Sequence, residues 1–78
     1  MYYVYILRLK DNSLYIGYST DLKNRLKYHS QGLVESTKHL LPIKLIFYSA
    51  FENKAKASQF EKYLKSSSGF AFRNKHLL

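Results

Sequence analysis

The chain opens with a segment, residues 2–9, whose side chains divide between two faces with the period of two that is typical of a β-strand. Both faces are largely apolar, so we predict a strand that is covered on both sides. Residues 10–13 favour a turn, because Asp and Asn side chains bond their own backbone, and residues 14–19 return as a second strand of a hairpin. The two faces of the first strand carry Tyr2, Val4, Ile6 and Arg8, and Tyr3, Tyr5, Leu7 and Leu9.

The register of this hairpin decides whether Tyr5 and Tyr15 share a face. In an antiparallel pair they do so only if the numbers of cross-strand partners add up to an even value. We therefore predict that Tyr5 lies opposite Gly17 and Ile6 opposite Ile16, with an odd-length loop or a bulge near residues 10–12. A loop of two or four residues would place the two phenols on opposite faces.

A helix is predicted over residues 21–30, because the apolar residues there recur at the spacing of one helical face. Ser19 or Thr20 is expected to cap it, with Asp21 in the first turn. We expect Leu22, Leu26 and Tyr28 to face inward, and Gly32 to end the helix.

The second half of the chain predicts one strand and two helices. Residues 33–42 have no clear period and end at the only proline, so they are interpreted as a loop. Residues 43–48 predict a short strand, residues 54–65 a helix opened by Glu52 and Asn53, and residues 70–77 a last helix after a break at 66–69. The helix 54–65 has an apolar stripe of Ala57, Phe60 and Leu64, with Ala55 or Tyr63 alongside. The order ββαβαα predicts one α/β domain, residues 1–78, with a small three-stranded, antiparallel-rich sheet flanked by helices.

Composition narrows the class of protein. Apolar residues make up 46% of the chain and aromatics 17%, which is enough for a small core without a metal or disulfide staple. The absence of cysteine excludes zinc knuckles, thiol catalysis and disulfides. No apolar run reaches the ~20 residues of a membrane span, and the N-terminus has no signal-peptide pattern. We expect a soluble, cytoplasmic protein.

The charge is strongly positive. Thirteen Lys and Arg against five Asp and Glu give a net charge of +8. This excess favours a polyanionic partner, of which nucleic acid is the commonest. A ribosome-associated protein, or simply a basic soluble surface, is the alternative interpretation.

Residues 14–29 combine three groups suited to a phosphate. Arg25 and His29 are spaced i, i+4, so they project from one face of the predicted helix. That helix follows the strand that carries Tyr15. A guanidinium, an imidazole and a phenol would therefore converge near one end of the hairpin.

These residues, taken in order, resemble the GIY-YIG nuclease superfamily. The likeness rests on Tyr3-Val4-Tyr5, Tyr15-Ile16-Gly17, the pair Arg25 and His29, and Glu61 on a later helix. It extends over nearly the whole chain, through the stretches 36–51 and 61–69, and is strongest for small members similar to the excision-repair nuclease domain. Tyr3 is a departure, since the family name has Gly at this place.

The resemblance implies a metal-dependent endonuclease that hydrolyses DNA with a single divalent ion, Mg²⁺ or Mn²⁺, in a DNA repair setting. Glu61 would hold the ion, and Arg25 would bind the scissile phosphate. Tyr5 and Tyr15 would orient or deprotonate the attacking water, and His29 would hydrogen-bond a phosphate oxygen or a tyrosine. The sequence leaves open which phenol is the base.

Each of these residues also has an ordinary structural interpretation. Tyr5 and Tyr15 could be core phenols, Arg25 a solvated helix residue, and His29 a cation at a helix C-terminus. Glu61 could form a surface ion pair with a neighbouring lysine.

Other residues are assigned to nucleic-acid binding. Asn74 lies near the place of an asparagine that supports the site in many members of the superfamily. The lysines expected to neutralise phosphates without reading sequence are Lys23, Lys27, Lys38, Lys44, Lys54 and Lys56. The alternative function is a module of the same fold that binds DNA or RNA with weak or lost catalysis. A protein partner could supply target specificity, and the oligomeric state is not predicted.

Overall fold

A computed structural model describes residues 1–66 and Gly69. The elements are β1 (Tyr2–Arg8), β2 (Leu14–Ser19), α1 (Leu22–Ser30), β3 (Lys44–Phe51) and α2 (Lys54–Lys65). The strands form one antiparallel sheet in the order β2-β1-β3. The predicted α/β class is confirmed, and the described elements follow the predicted order ββαβαα through its first five members. The helix predicted over 70–77, with Asn74 in it, lies outside the described residues.

The hairpin has the predicted register. Tyr5 lies opposite Gly17 and Ile6 opposite Ile16. The connection, residues 9–13, has an odd length and is closed by the Leu9 N–H, which donates to the Ser13 carbonyl at 2.9 Å. Asn12 takes a positive φ of 67° there, a conformation that Asn tolerates better than most residues. Tyr5 and Tyr15 consequently share a face of the sheet.

Strand β1 is the centre of the molecule. Val4, Tyr5, Ile6 and Leu7 are all 0% exposed, as expected for a central strand that is covered on both sides. On one face, Val4 and Ile6 pack with buried residues of α2. On the other face, Tyr5 and Leu7 pack with residues of α1 and of the loop 31–43; these are Leu22, Leu26, Leu40 and Ile43.

The start of α1 differs from the prediction. Asp21 is the N-cap, and its Oδ1 accepts from the Asn24 N–H at 3.1 Å. Ser19 instead accepts from the Asp21 N–H at 3.0 Å, so it stabilises the turn before the helix. Gly32 follows the helix with a φ of 74°, which agrees with the predicted stop.

The inward face of α1 also differs at one position. Tyr28 is 42% exposed, whereas His29 is 0% exposed. The prediction of an inward Tyr28 was wrong because it weighed hydrophobicity alone. His29 occupies the interior because both of its ring nitrogens find hydrogen-bond partners there.

Strand β3 and helix α2 complete the two layers. β3 extends to Phe51, beyond the predicted end at Tyr48, because it pairs with β1 along its length with one bulge. Asn53 caps α2 by accepting from the N–H groups of Ala55 and Lys56 at 2.7 and 3.2 Å. In α2, Ala57 and Leu64 are buried as predicted, Phe60 packs against them, and Ala55 and Tyr63 are exposed.

Neither of the two described helices is long and apolar enough to cross a membrane.

Candidate active site

Two phenols lie together on the sheet face beneath α1. Tyr5 and Tyr15 have ring centroids 6.3 Å apart. The Tyr5 ring extends across Gly17, its cross-strand partner. A Cβ at residue 17 would overlap the Cζ and Oη atoms of Tyr5. Gly17 is therefore more than a strand-end residue, because the missing side chain makes the space in which Tyr5 lies.

Helix α1 brings Arg25 and His29 to these phenols. The Tyr5 Oη atom lies 2.8 Å from His29 Nε2, and both residues are 0% exposed. The His29 ring also meets the Tyr15 ring edge-on, with centroids 5.1 Å apart. His29 is thus a buried partner of both tyrosines rather than an exposed cation at the end of a helix.

The loop after α1 contributes a residue that sequence reasoning missed. Thr37 Oγ1 lies 2.9 Å from His29 Nδ1, and Thr37 is 0% exposed. The stretch 36–51 carries part of the resemblance to the superfamily, but that resemblance gives no role to Thr37. The separation of eight residues matches neither a helical nor a strand period, so no pattern in the sequence pairs Thr37 with His29.

Burial governs the ionisation of Tyr5. Burial raises the pKa of the phenol above its ordinary value of 10.0, and the negative charge of Glu61 and the phenol of Tyr15 act in the same direction. The Arg25 guanidinium partly opposes the shift. The Tyr5 side chain is therefore protonated at neutral pH.

The pKa values of Arg25 and His29, which both lie on α1, shift in opposite directions. Hydrogen bonding with Tyr5 raises the pKa of Arg25, so the guanidinium is positive under all ordinary conditions. Burial, with the nearby charge of Arg25, holds the pKa of His29 below its ordinary value of 6.5. His29 is consequently neutral near pH 7 and carries a proton on only one ring nitrogen.

Arg25 keeps one donor free. Within the described part of the chain, its Nε is a buried side-chain donor that has no hydrogen-bond partner. A buried polar atom without a partner is costly. An anionic oxygen would satisfy it, and a guanidinium binds phosphate oxygens with good geometry. This is what the prediction for Arg25 requires.

Glu61 is half-buried on α2, the helix that packs against the other face of β1. Its side chain is 25% exposed, and Oε2 lies 3.1 Å from Lys65 Nζ. Such an i, i+4 surface pair contributes little stability, so the carboxylate can exchange that partner for a metal ion at small cost. Its negative charge is the smallest of the causes that act on the pKa of Tyr5.

The donor set suits a hydrated ion. Among residues 1–66 and Gly69, no group of three or more His, Cys, Asp or Glu side chains could hold a metal ion. Zinc and calcium sites that are built from several side chains are therefore not provided by these residues. A single carboxylate is enough for Mg²⁺ or Mn²⁺, which keep several waters and share phosphate oxygens with the substrate.

The five predicted catalytic residues differ in access to solvent. Tyr15, Arg25 and Glu61 are half-buried, whereas Tyr5 and His29 are closed off from solvent. The expectation that all five line one solvent-open cleft therefore needs correction. Three of them reach the surface, and two lie behind it.

The predicted DNA-binding lysines are spread over the molecule. Lys23 and Lys27 lie exposed on α1 and share a shallow depression with Asp21 and Asn24. Lys38 is half-buried in the loop, 3.0 Å from Glu35. The remaining predicted lysines, Lys44 at the start of β3 and Lys54 and Lys56 on α2, are exposed. Asn74 falls outside the described residues.

Comparison with known proteins finds similar sequences and a similar structure. Residues 1–75 match the family model described as the GIY-YIG catalytic domain. A UPF0213 protein of Clostridium perfringens is 44% identical over 66 residues, which cover 83% of this chain and 71% of that protein. A UPF0213 protein of Streptococcus pyogenes is 41% identical over 64 residues, covering 81% and 70%. The solution NMR structure of a UPF0213 protein from Bacillus halodurans aligns with a TM-score of 0.60 and 35% identity, covering 96% of this chain and 84% of that one.

Proposed function

Because the chain belongs to the GIY-YIG catalytic domain family, a nuclease family that generally uses divalent metal ions, we propose that it is an endonuclease that hydrolyses DNA phosphodiester bonds with one divalent ion. The observation that carries this proposal is the free Nε of Arg25, which is buried beside the phenols of Tyr5 and Tyr15. Glu61, half-buried on α2, is the carboxylate of the proposed site. Together these groups offer a phosphate ligand, a water ligand and a metal ligand.

Arg25 and Tyr15 are the groups that meet the substrate. Arg25 binds the scissile phosphate through its free donor and stabilises the charge that builds on phosphorus in the transition state. Tyr15 is half-buried, so its hydroxyl can orient the attacking water. Glu61 would hold the divalent ion, whose chemistry there would be to stabilise negative charge on the leaving oxygen.

Tyr5 and His29 act behind this surface, because both are fully buried. In the arrangement that we propose, His29 Nδ1–H donates to Thr37 Oγ1, and Nε2 accepts from the Tyr5 hydroxyl. The oxygen of Tyr5 then has its lone pairs free for the guanidinium of Arg25, which raises the pKa of Arg25. The three buried groups thus position Arg25 and are not themselves in contact with the substrate.

Four finer statements about the protein stay predictions. The choice of Mg²⁺ over Mn²⁺, a part in DNA repair, a cytoplasmic location and the treatment of residues 1–78 as one catalytic domain all follow from the resemblance. They are part of the proposal.

The decisive experiment compares two carboxylate variants. Glu61→Gln removes the proposed metal ligand and is expected to abolish cleavage of plasmid and branched DNA in Mg²⁺. Glu35→Gln is the matched control, since Glu35 is also in a surface ion pair with a lysine, at 3.0 Å. It should cleave like the wild type.

Arg25→Lys is the next variant to test in the same cleavage assay. It keeps the charge but loses the planar fork, so we expect a rate loss of about 10²-fold or more. Unchanged cleavage in both Glu61→Gln and Arg25→Lys would overturn the proposed site. Salt-sensitive DNA binding with no cleavage by the wild type would instead support a binding module of this fold.

A further inference from the structure

A groove of about 410 Å³ lies beside the first turn of α1, on the sheet face that carries Tyr5. Two tyrosines, Tyr3 and Tyr48, form part of its lining, together with Leu22 and Leu26 of α1 and with Lys23. It is distinct from the group around Arg25, because none of the five predicted catalytic residues lines it. The proposed nuclease mechanism does not use it.

The two tyrosines present aromatic surface to solvent. Tyr48 pairs with Tyr5 across β1 and β3, so its side chain lies on the same face of the sheet. It is nevertheless 54% exposed. The rings of Tyr3 and Tyr48 are 6.5 Å apart and inclined by 56°. One exposed tyrosine on an edge strand is ordinary, but Tyr48 together with the half-buried Tyr3 flanks an apolar groove, and the two rings form a surface on which a flat ring can stack.

The charges around the groove fit an anionic ligand. Lys23 lines the groove, and Lys27 lies one helical turn further along α1, in the depression that adjoins it. Asp21 also lines the groove, but its carboxylate accepts the Asn24 N–H as the helix cap. The net charge of the chain is +8. A ligand with a flat ring and a phosphate satisfies both the aromatic lining and the lysines.

We propose that this groove binds an unpaired nucleotide of the DNA strand that is cleaved, with the base against Tyr3 and Tyr48 and its phosphate near Lys23. The proposal rests on the proposed function and specifies its substrate class, which is DNA that has a single-stranded segment next to the scissile bond. A base within a duplex could not occupy the groove, because its faces are already stacked on its neighbours.

One continuous DNA strand can reach from the group around Arg25 to the groove. The phenol of Tyr5 extends over β2, whereas Tyr48 lies on β3, two strand spacings or about 10 Å away. A short stretch of extended single strand spans this distance around the first turn of α1. Tyr3, the residue that departs from the glycine in the family name, is thereby given a role.

The test measures binding without cleavage. Fluorescence anisotropy in EDTA compares a short labelled oligothymidylate with a hairpin duplex, so that the result does not depend on a metal ion. Tyr48→Ala is expected to weaken binding of the single strand about 5- to 150-fold, as the loss of one stacked base does, and to leave duplex binding unchanged. Tyr48→Phe keeps the ring and should bind like the wild type.

Tyr28→Ala is the matched control, because Tyr28 is also an exposed tyrosine, at 42% exposure on α1, yet does not line the groove. If Tyr48→Ala binds the single strand as well as Tyr28→Ala does, the groove proposal is overturned. An equal loss for single strand and duplex would overturn it too. Concentration-dependent dimerisation that Tyr48→Ala abolishes would assign the groove to a second copy of the chain.

A second measurement uses the wild-type chain, so it does not depend on a variant that folds. Oligonucleotides that contain 5-iodouracil should crosslink to Tyr48 or Tyr3. Crosslinks confined to Tyr2, Tyr18 or Tyr63 would contradict the proposal. If the chain cleaves DNA in Mg²⁺ but Tyr48→Ala changes nothing, the groove proposal is refuted and the proposed endonuclease activity stands. If binding depends on Tyr48 but no cleavage occurs, the proposed endonuclease activity is refuted and the groove proposal stands.

Discussion

The missing side chain of Gly17 decides where the most buried phenol lies. Because Tyr5 stands opposite residue 17 and its ring crosses that position, any Cβ there competes with the ring for the same space. The Tyr5 ring is held further by its contact with His29 Nε2 at 2.8 Å. A single hydrogen atom in place of a methyl group thus permits the arrangement on which Arg25 depends.

Gly17→Ala is expected to displace Tyr5 and break its contact with His29. Overpacking of this kind costs about 1–3 kcal/mol of the free energy of unfolding, and cleavage should be lost at temperatures where the variant is still folded. The measurements are urea unfolding and plasmid cleavage in Mg²⁺.

The control for this variant is Gly32→Ala. Gly32 has a φ of 74°, so alanine is also strained there, at a cost of about 1–2 kcal/mol. A Cβ there would meet Leu41 Cδ1 at 3.7 Å and would not meet Tyr5, so this variant should keep its activity. A Gly17→Ala chain with wild-type stability and cleavage would contradict the role given to this glycine.

At residue scale, the sequence could predict the types of groups but not all of their partners. The register of the hairpin and its odd-length loop could be predicted, because Tyr5 and Tyr15 share a face of the sheet only in that register. The cap of α1 could not, because Ser19, Thr20 and Asp21 all suit an N-cap and only the path of the backbone selects Asp21. Thr37 could not be found either, since its role depends on a loop that folds back onto a helix.

At the scale of elements, one buried imidazole ties together two strands, a helix and a loop. His29 on α1 meets Tyr5 on β1, Tyr15 on β2 and Thr37 in the loop, with Arg25 on its own helix. Burial and the charge of Arg25 hold its pKa below 6.5. Protonation of His29 therefore disfavours the packed arrangement of all four elements.

This coupling predicts a pH dependence of stability. Below about pH 6.5 the unfolded chain binds a proton at His29 while the folded chain does not, so the unfolded state is favoured. The free energy of unfolding should fall as the pH decreases from about 7 to about 5, above the range in which carboxylates titrate. Urea unfolding at a series of pH values measures this slope.

His29→Gln removes the titrating group and should flatten the slope in that window. His39→Gln is the matched control, because His39 is exposed in the loop, and it should leave the slope as in the wild type. Equal slopes in the two variants would show that the pH dependence arises elsewhere.

For the whole molecule, the sheet separates two kinds of surface. Both faces of β1 are covered, one by α2 and the other by α1 and the loop, and the phosphate site and the groove that we propose lie at the margins of α1. One margin carries Arg25 and Tyr15, and the other carries Tyr48 and Lys23. Charge could be predicted from composition, but its arrangement around α1 could not, because it depends on how the helix is rotated against the sheet.

This arrangement predicts how salt affects DNA binding. Each phosphate neutralised by a lysine adds about 0.7 to 0.9 to the slope of log affinity against log salt concentration. Lys23→Gln combined with Lys27→Gln should therefore reduce the slope by about 1 to 2, measured by anisotropy on a labelled single strand. The control, Lys10→Gln with Lys62→Gln, removes the same charge from two exposed lysines away from the groove. If both pairs lower the slope equally, only the overall charge attracts DNA, and the margin of α1 has no special part in binding.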